Sequence, residues 1–224
     1  MIRFSLAALA FVFAGNASAQ AAADFAAAEL RFKSWSPPVE QIPAGANGVH
    51  AVTRITQAQR VVPLPEFLAQ HGFRDAHEWE FHGSICSAFA VVVGTARQQS
   101  SALSSDHTQI FTRTEFSLVK TLHAKPGARI PYSLVVVSDV GQVRIAGQHY
   151  SISDPARPTY RPGARYLLWL EADPSRPALF YSTWNTIEVR PNDGLYPVLD
   201  FSPVPTVAQL KTEIERIRNI APCH

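Results

Sequence analysis

The segment from His71 to Cys86, HGFRDAHEWEFHGSIC, gathers three histidines, two glutamates and one of the chain's two cysteines. Imidazole and thiolate groups are the ordinary ligands of zinc, so metal chemistry is the first possibility to weigh. Zincin-type hydrolysis needs H-E-x-x-H, which puts both rings on one helix face. Here His77-Glu78 is followed by His82, five residues after the first ring. On a helix, five residues rotate the second ring by about 500°. On a strand, an odd spacing sends the two rings to opposite faces. His71, His77 and His82 are therefore metal candidates only if the chain folds back on itself, and no metal or other cofactor is assigned. On a strand, Glu78 and Glu80 would share a face about 6.6 Å apart. Paired carboxylates at that separation can hydrolyse glycosides, although two glutamates on a solvated strand are the simpler reading. A metal-dependent or carboxylate-based hydrolase is thus one functional alternative.

Cys86 admits three roles: nucleophile, metal ligand or half of a disulfide. A nucleophile needs a spaced base and a lowered pKa, and His82 nearby is the sole local partner. Ser117-Leu118-Val119-Lys120 matches S-x-x-K, but that motif works from a helix, and here it falls in a strand pattern. Ser84 lacks the flanking glycines of a nucleophile elbow. No P-loop, dinucleotide fingerprint, EF-hand or Cys-x-x-Cys is present. A proline-rich loop supplies a different kind of candidate. Arg157, Tyr160 and Arg161 combine two residue types enriched at binding hot spots, on a segment that reads as exposed.

The N-terminus bears on the cysteines. Arg3 precedes an apolar run from Phe4 to Ala14, and Ala17-Ser18-Ala19 fits a small-x-small cleavage site. Residues 1–19 are expected to be a signal peptide cut after Ala19, and no later segment reads as a membrane span. That predicts a periplasmic or secreted protein. An even cysteine count in an exported chain favours a disulfide, joining Cys86 to Cys223. Free thiols and a reactive cysteine stay as alternatives. The chain has 20 Lys+Arg against 18 Asp+Glu, without a basic run, which excludes the electrostatic footprint of a nucleic-acid binder.

The elements that must position these groups are mainly strands. Residues 20–48 read as a flexible linker, whose alanines at 21–28 could form a short helix and which Pro37, Pro38, Pro43, Gly45 and Gly48 then break. Residues 49–224 form one domain. Residues 49–62 make a weak first strand and Leu64–Gly72 a short helix or turn. Strands are expected over 88–98, 108–122, 130–138, 142–146, 149–152, 166–171, 178–182 and 186–189. Lys125-Pro126-Gly127 and Arg161-Pro162-Gly163 have proline-glycine turn chemistry. Val207, Leu210, Ile214 and Ile217 recur at helical spacing, and Thr206 with Gln209 suits a capping box. A C-terminal helix over 207–219 follows.

Three stretches have a familiar order. Cys86 precedes Val91-Val92-Val93-Gly94-Thr95. Phe116 to Leu122 (FSLVKTL) follows, and Arg161 to Leu170 (RPGARYLLWL) comes last. This order resembles a group of uncharacterised bacterial secreted proteins. More remotely, it is similar to the OB-fold barrel of netrin modules and tissue inhibitors of metalloproteinases. The resemblance covers about 85 residues. It implies an OB-fold-like five-stranded Greek-key barrel, core about 86–185, with an N-terminal extension and a C-terminal helix. Such barrels bind through loops, here 98–107 and 172–177. The metalloproteinase inhibitors reach zinc through a mature N-terminal cysteine, whereas the expected mature N-terminus here is Gln20. The leading expectation is a non-enzymatic binding module of the cell envelope, its partner a protein or envelope polymer. A periplasmic protease inhibitor is a further alternative by fold analogy.

Overall fold

The computed structural model describes residues 19–32, 64–154, 157–182, 187–196 and 206–223. Residues 1–18 of the expected signal peptide, the second part of the expected linker and the strand expected at 49–62 lie outside them. The elements run α1 (residues 19–32), α2 (Leu64–Gln70), α3 (Ala76–Ser87), β1 (Ala90–Leu103), β2 (Ile110–Ala124), β3 (Ser133–Ser138), β4 (Gly141–Ile145) and β5 (Gln148–Ile152). Then follow β6 (Arg165–Asp173), β7 (Arg176–Ser182), β8 (Ile187–Val189), β9 (Leu195–Tyr196) and α4 (Val207–Ile220). The mainly β class with a C-terminal helix is what the sequence predicts. No helix among the described residues is long and apolar enough to cross a membrane.

A seven-stranded mixed sheet has the order β1-β2-β3-β7-β6-β8-β9. β1 also pairs with β6, from Ala90 opposite Leu170 to Thr95 opposite Arg165. All these pairings are antiparallel except β3 with β7. The β4–β5 hairpin forms a small separate sheet.

The continuous apolar runs now have a cause. Successive strand residues point to opposite faces, and β1 and β6 are covered on both. Ala90, Val92, Leu168 and Leu170 join Phe116, Leu134, Val136 and Phe180 in one core. Their neighbours Val91, Val93, Leu167 and Trp169 join a second core with α3 and α4, through Phe81, Ile85, Leu210, Ile214 and Ile217. Both turns close as their residues predict. Ala128 N–H donates to Lys125 at 3.0 Å, Ala164 N–H donates to Arg161 at 3.2 Å, and Gly127 and Gly163 take φ of 76° and 84°. At the start of α4, the Thr206 hydroxyl accepts the Gln209 N–H at 3.3 Å.

Three expectations are corrected. Residues 76–87 are helical, so Glu78 and Glu80 do not share a strand face. The reason is a cap: Asp75 accepts the Glu78 N–H at 2.8 Å, satisfying an amide that a helix start leaves open. Cys86 accordingly sits in the last turn of α3, just before the first strand. β1 runs five residues further than expected, to Leu103, and pairs there with the start of β2 at Ile110, so the loop read as 98–107 becomes residues 104–109. The stretch 172–177 is largely taken up by β6 and β7.

The expected linker is also structured over its first part. α1 packs Ala28 and Phe32 against Phe111, Val137, Leu179 and Tyr181, making a third core. Its Asp24 is 1% exposed and lies between two cations, Arg113 at 2.8 Å and Arg176 at 3.0 Å. A buried carboxylate is tolerable only when its charge is compensated. Asp24 therefore fixes the register of α1 on the sheet, and its loss leaves two guanidinium groups facing each other. Asp24→Ala is expected to lower unfolding free energy by about 3 kcal/mol. Urea denaturation checks this, with Glu80→Ala, on the exposed side of α3, as the near-neutral reference.

Candidate functional site

The sequence candidates separate into structural roles. Glu78, 3% exposed, accepts from the Arg74 backbone N–H at 2.5 Å and from its guanidinium at 2.9 Å. It is also bridged by Arg216 of α4. Arg216 and Arg74 both reach Glu213, at 2.7 and 3.0 Å. Burial alone would raise the Glu78 carboxyl. The Arg74 backbone bond and the two guanidinium groups outweigh it and hold the group below its ordinary value. A carboxylate so engaged is a clamp between α3 and α4. It has no proton to give at neutral pH and no free lone pair aimed at solvent. Glu80 is exposed on the same helix.

The three histidines do not converge. His71 and His77 are exposed. His82 is half-buried against Phe73, with its Nε2 2.7 Å from the Ala221 carbonyl and 3.3 Å from Cys86 Sγ. Among the described residues, no group of three metal-binding side chains contains His71 or His77. Cys86 and Cys223 are joined in a disulfide across 137 residues of chain. It ties the last turn of α3 to the segment just after α4.

The loop candidates also part company. Tyr160 is 7% exposed and packs edge-on against Phe116 and Tyr166. It is a core residue, contrary to the exposed segment that the prolines suggest, because the loop folds back over the open end of the sheet. Arg161 N–H donates to the Tyr166 hydroxyl at 2.8 Å, and its guanidinium bonds Glu188 at 2.7 Å. Arg157 is partly exposed and lies near Asp139 and Asp154. Of the three, only the two arginines reach solvent, and each is already beside a carboxylate.

A different site emerges where α3, α4 and the end of β2 meet. A cavity of 680 Å³ is lined by Cys86, His123, Lys125, Glu215, Arg218, Asn219 and Cys223, with Pro126 and Pro222 beside them. Each element delivers its groups for a plain reason. The Lys125-Pro126-Gly127 turn reverses β2 and holds Lys125 at the rim. Arg218 is the basic residue of the last turn of α4, where the helix dipole favours a cation. The disulfide holds the tail carrying Pro222 and Cys223 against α3.

His123 is the unusual member. It is 4% exposed, and neither ring nitrogen has a hydrogen-bond partner in the protein. Burial, with Arg218 and Lys125 close by, pushes it down from 6.5 to about 4. Among the described residues, neither Lys125 nor Arg218 has an ion-pair partner, while Glu215 is turned toward Lys211 at 3.6 Å. The cavity therefore presents two solvent-exposed cations without an ion-pair partner among the described residues, an apolar wall, and behind them a neutral imidazole whose two covered nitrogens have no hydrogen-bond partner in the protein. It offers hydrogen-bond donors and positive charge, but no nucleophile-base pair. Sequence reading passed over His123 because one histidine in a strand carries no motif. A histidine two residues before a lysine-proline-glycine turn was the only available signal.

The chain matches no protein-family model and no curated protein. Function must therefore be argued from this geometry.

His123 sets a pH dependence. Its folded pKa lies below its ordinary value, so below pH 6.5 the unfolded chain takes up a proton that the folded chain refuses. Stability from this group is complete above pH ~6.5 and falls as pH drops toward ~4. The linkage amounts to about 2 kcal/mol between pH ~7 and pH ~5. This window lies above the titration of the lowered carboxylates Glu78, Asp173 and Glu213. Denaturant midpoints across that window should fall for the native chain and stay nearly level for His123→Leu.

Proposed function

We propose that this chain is an exported, non-enzymatic binding module of the cell envelope, and that it binds an anionic ligand in the cavity beside the disulfide. The observation that carries the reading is the buried His123 with both ring nitrogens unpartnered. A buried polar group left without a bond costs about 1–3 kcal/mol. A ligand that displaces the atoms now covering the ring and supplies an acceptor there recovers that cost. Lys125 and Arg218 select a carboxylate or phosphate as the acceptor-bearing group, since a guanidinium pairs with either in a forked geometry. The apolar wall and the volume suit a ligand larger than a bare ion.

The scaffold of this module is an OB-type barrel. Its support is the strand circuit: β1, β2, β3, β7 and β6 pair in that order and β6 pairs back to β1. With β4 and β5 set aside as a hairpin, the order is first-second-third-fifth-fourth-first, with the third and fifth strands parallel. A five-stranded Greek-key barrel of the OB kind has that connectivity. The netrin-like relationship rests on the same circuit and on the three sequence stretches. The disulfide fits an extracytoplasmic compartment, as does the expected signal peptide.

Placing the ligand at α4 departs from the loop-centred binding of such barrels. The shortened loop at residues 104–109 is taken up by its own bonds. Ser104 Oγ donates to Asp106 at 2.6 Å and accepts the Thr108 and Gln109 amides at 3.1 and 2.9 Å.

Calorimetric titration of the mature, disulfide-bonded chain with citrate, inorganic phosphate and soluble carboxylate-bearing peptidoglycan fragments tests the reading. Saturable binding of at least one of these is expected, and Arg218→Ala and Lys125→Ala should each weaken it about tenfold, the scale of one charged hydrogen bond. Affinity should rise as pH falls from ~7 to ~5, because an anion beside His123 favours its protonated form. Unchanged affinity in Arg218→Ala would sink the proposal.

A further inference from the structure

One wall of the cavity carries a second chemistry that the anion reading does not use. His82 and Cys86 are four residues apart on α3, so their side chains project from one helix face. The tail after α4 brings Cys223 to the same point. One ligand atom from each of His82, Cys86 and Cys223 lies within 4.8 Å of the other two, and all three residues are half-buried. As a disulfide, the two sulfurs are not metal ligands. As thiolates, they are two of the strongest ligands available to a soft cation.

We propose that reduction of the Cys86–Cys223 disulfide converts this cluster into a site for one Zn²⁺ ion, bound by His82 Nε2, Cys86 Sγ and Cys223 Sγ. The first step is thiol–disulfide exchange with a dithiol reductant. The reductant gives up two electrons and two protons and becomes a disulfide, while the Cys86–Cys223 bond breaks to give two thiols. Zn²⁺ then displaces those two thiol protons. The His82 Nε2–H that bonds the Ala221 carbonyl at 2.7 Å in the oxidised form is given up: the ring takes its proton on Nδ1 instead, and Nε2 gives its lone pair to the metal.

The geometry requires little movement. With Zn–S bonds of about 2.3 Å at a tetrahedral angle, the two sulfurs stand about 3.8 Å apart. The Cα atoms are 5.2 Å apart, and side-chain rotation with a small shift of the tail supplies the separation. Nε2 to Cys86 Sγ is already 3.3 Å, near the spacing of two ligands on one zinc. Three protein ligands leave a fourth position for water, and two of the three, Cys86 and Cys223, line the cavity. The charges there are consistent with the two states. Lys125 and Arg218 favour the thiolates, and two thiolates with Zn²⁺ make a neutral centre that those cations do not repel. Glu215 is the one acidic side chain on this wall. The anion reading is measured on the disulfide-bonded chain, so either proposal can fail without the other.

Co²⁺ titration followed by absorbance is the test, on full mature protein reduced with a phosphine, desalted anaerobically and compared with the oxidised protein. The reduced chain should take up one Co²⁺ with a thiolate-to-cobalt charge-transfer band, and Zn²⁺ should displace it. The oxidised chain should show no such band. His82→Ala should weaken binding by more than about tenfold, since losing even an outer-shell partner has that effect, and His77→Ala should leave it unchanged. Absence of the band in the reduced chain, or equal affinity in His82→Ala, overturns the site. Should His82→Ala not fold, alkylation of the reduced native chain decides. Zn²⁺ must slow modification of both cysteines, and equal rates with and without it reject the proposal.

Discussion

Two strands that are apolar on both faces govern this structure. In an ordinary half-buried strand, every second residue meets solvent and is polar. β1 and β6 allow no such residue between Ala90 and Val93 or between Tyr166 and Leu170. One set of side chains fills the space among β1, β2, β3, β6 and β7. The other set, including the fully buried Trp169, would meet water unless something covered it. α3 and α4 are that cover, and α1 does the same for the outer side of β2, β3 and β7. Burying one large side chain contributes about 1.5–3 kcal/mol, so the helices are bound to the sheet by several such contacts each.

Covering a sheet with two short helices creates a second requirement, since the helices must be held in a fixed relation to each other. Three different interactions do this. The apolar stripe of α4 packs with Phe81 and Ile85 of α3. The Arg74–Glu78–Arg216–Glu213 group ties the first turn of α3 to the middle of α4. The disulfide ties the last turn of α3 to the end of α4 and closes a long loop, for which chain entropy gives an upper figure of about 5 kcal/mol. The ion group and the disulfide sit at opposite ends of α3. With both ends tied, the space between α4 and the end of β2 cannot collapse onto His123.

Much of this was legible in residue patterns. The strand spans from β2 through β8 and the C-terminal helix follow periodicity and turn residues to within a few positions. The pairing of Cys86 with Cys223 follows from cysteine count and compartment. Helix α3 was not legible, because AHEWEFHGSICS lacks an apolar stripe at helical spacing. Only Glu78, Phe81 and Ile85 of it are buried, and one of these is charged. Its helicity comes from the Asp75 cap and from packing on distant residues. For α1 the alanines allowed a short helix, but its docking on the sheet was hidden for a related reason. An alanine-rich segment gives little hydrophobic pattern, and the partners of Asp24, Arg113 and Arg176, are far away in sequence. Tyr160 shows the converse error. Prolines and arginines around it read as an exposed loop, while its ring completes an aromatic cluster.

The candidate site was the least legible part, and the reason is physical. His123, Lys125, Arg218 and the two cysteines come from three separate elements, and each alone has an ordinary explanation. What makes them a site is that the fold leaves their charges and nitrogens uncompensated. Elsewhere on the molecule, the more buried cations are paired: Arg113 with Asp24 and Glu115, Arg176 with Asp24, Arg216 with Glu78 and Glu213. At this cavity the chain supplies two cations and a buried imidazole, and its one nearby carboxylate turns toward Lys211. Lys125 and Arg218 are exposed and hydrated, so what sets this place apart is the buried His123 beneath them, whose nitrogens the chain leaves without a partner. The same disulfide that keeps the cavity open is one of its walls, so any chemistry that breaks the bond changes both the shape of the cavity and the ligands exposed to it.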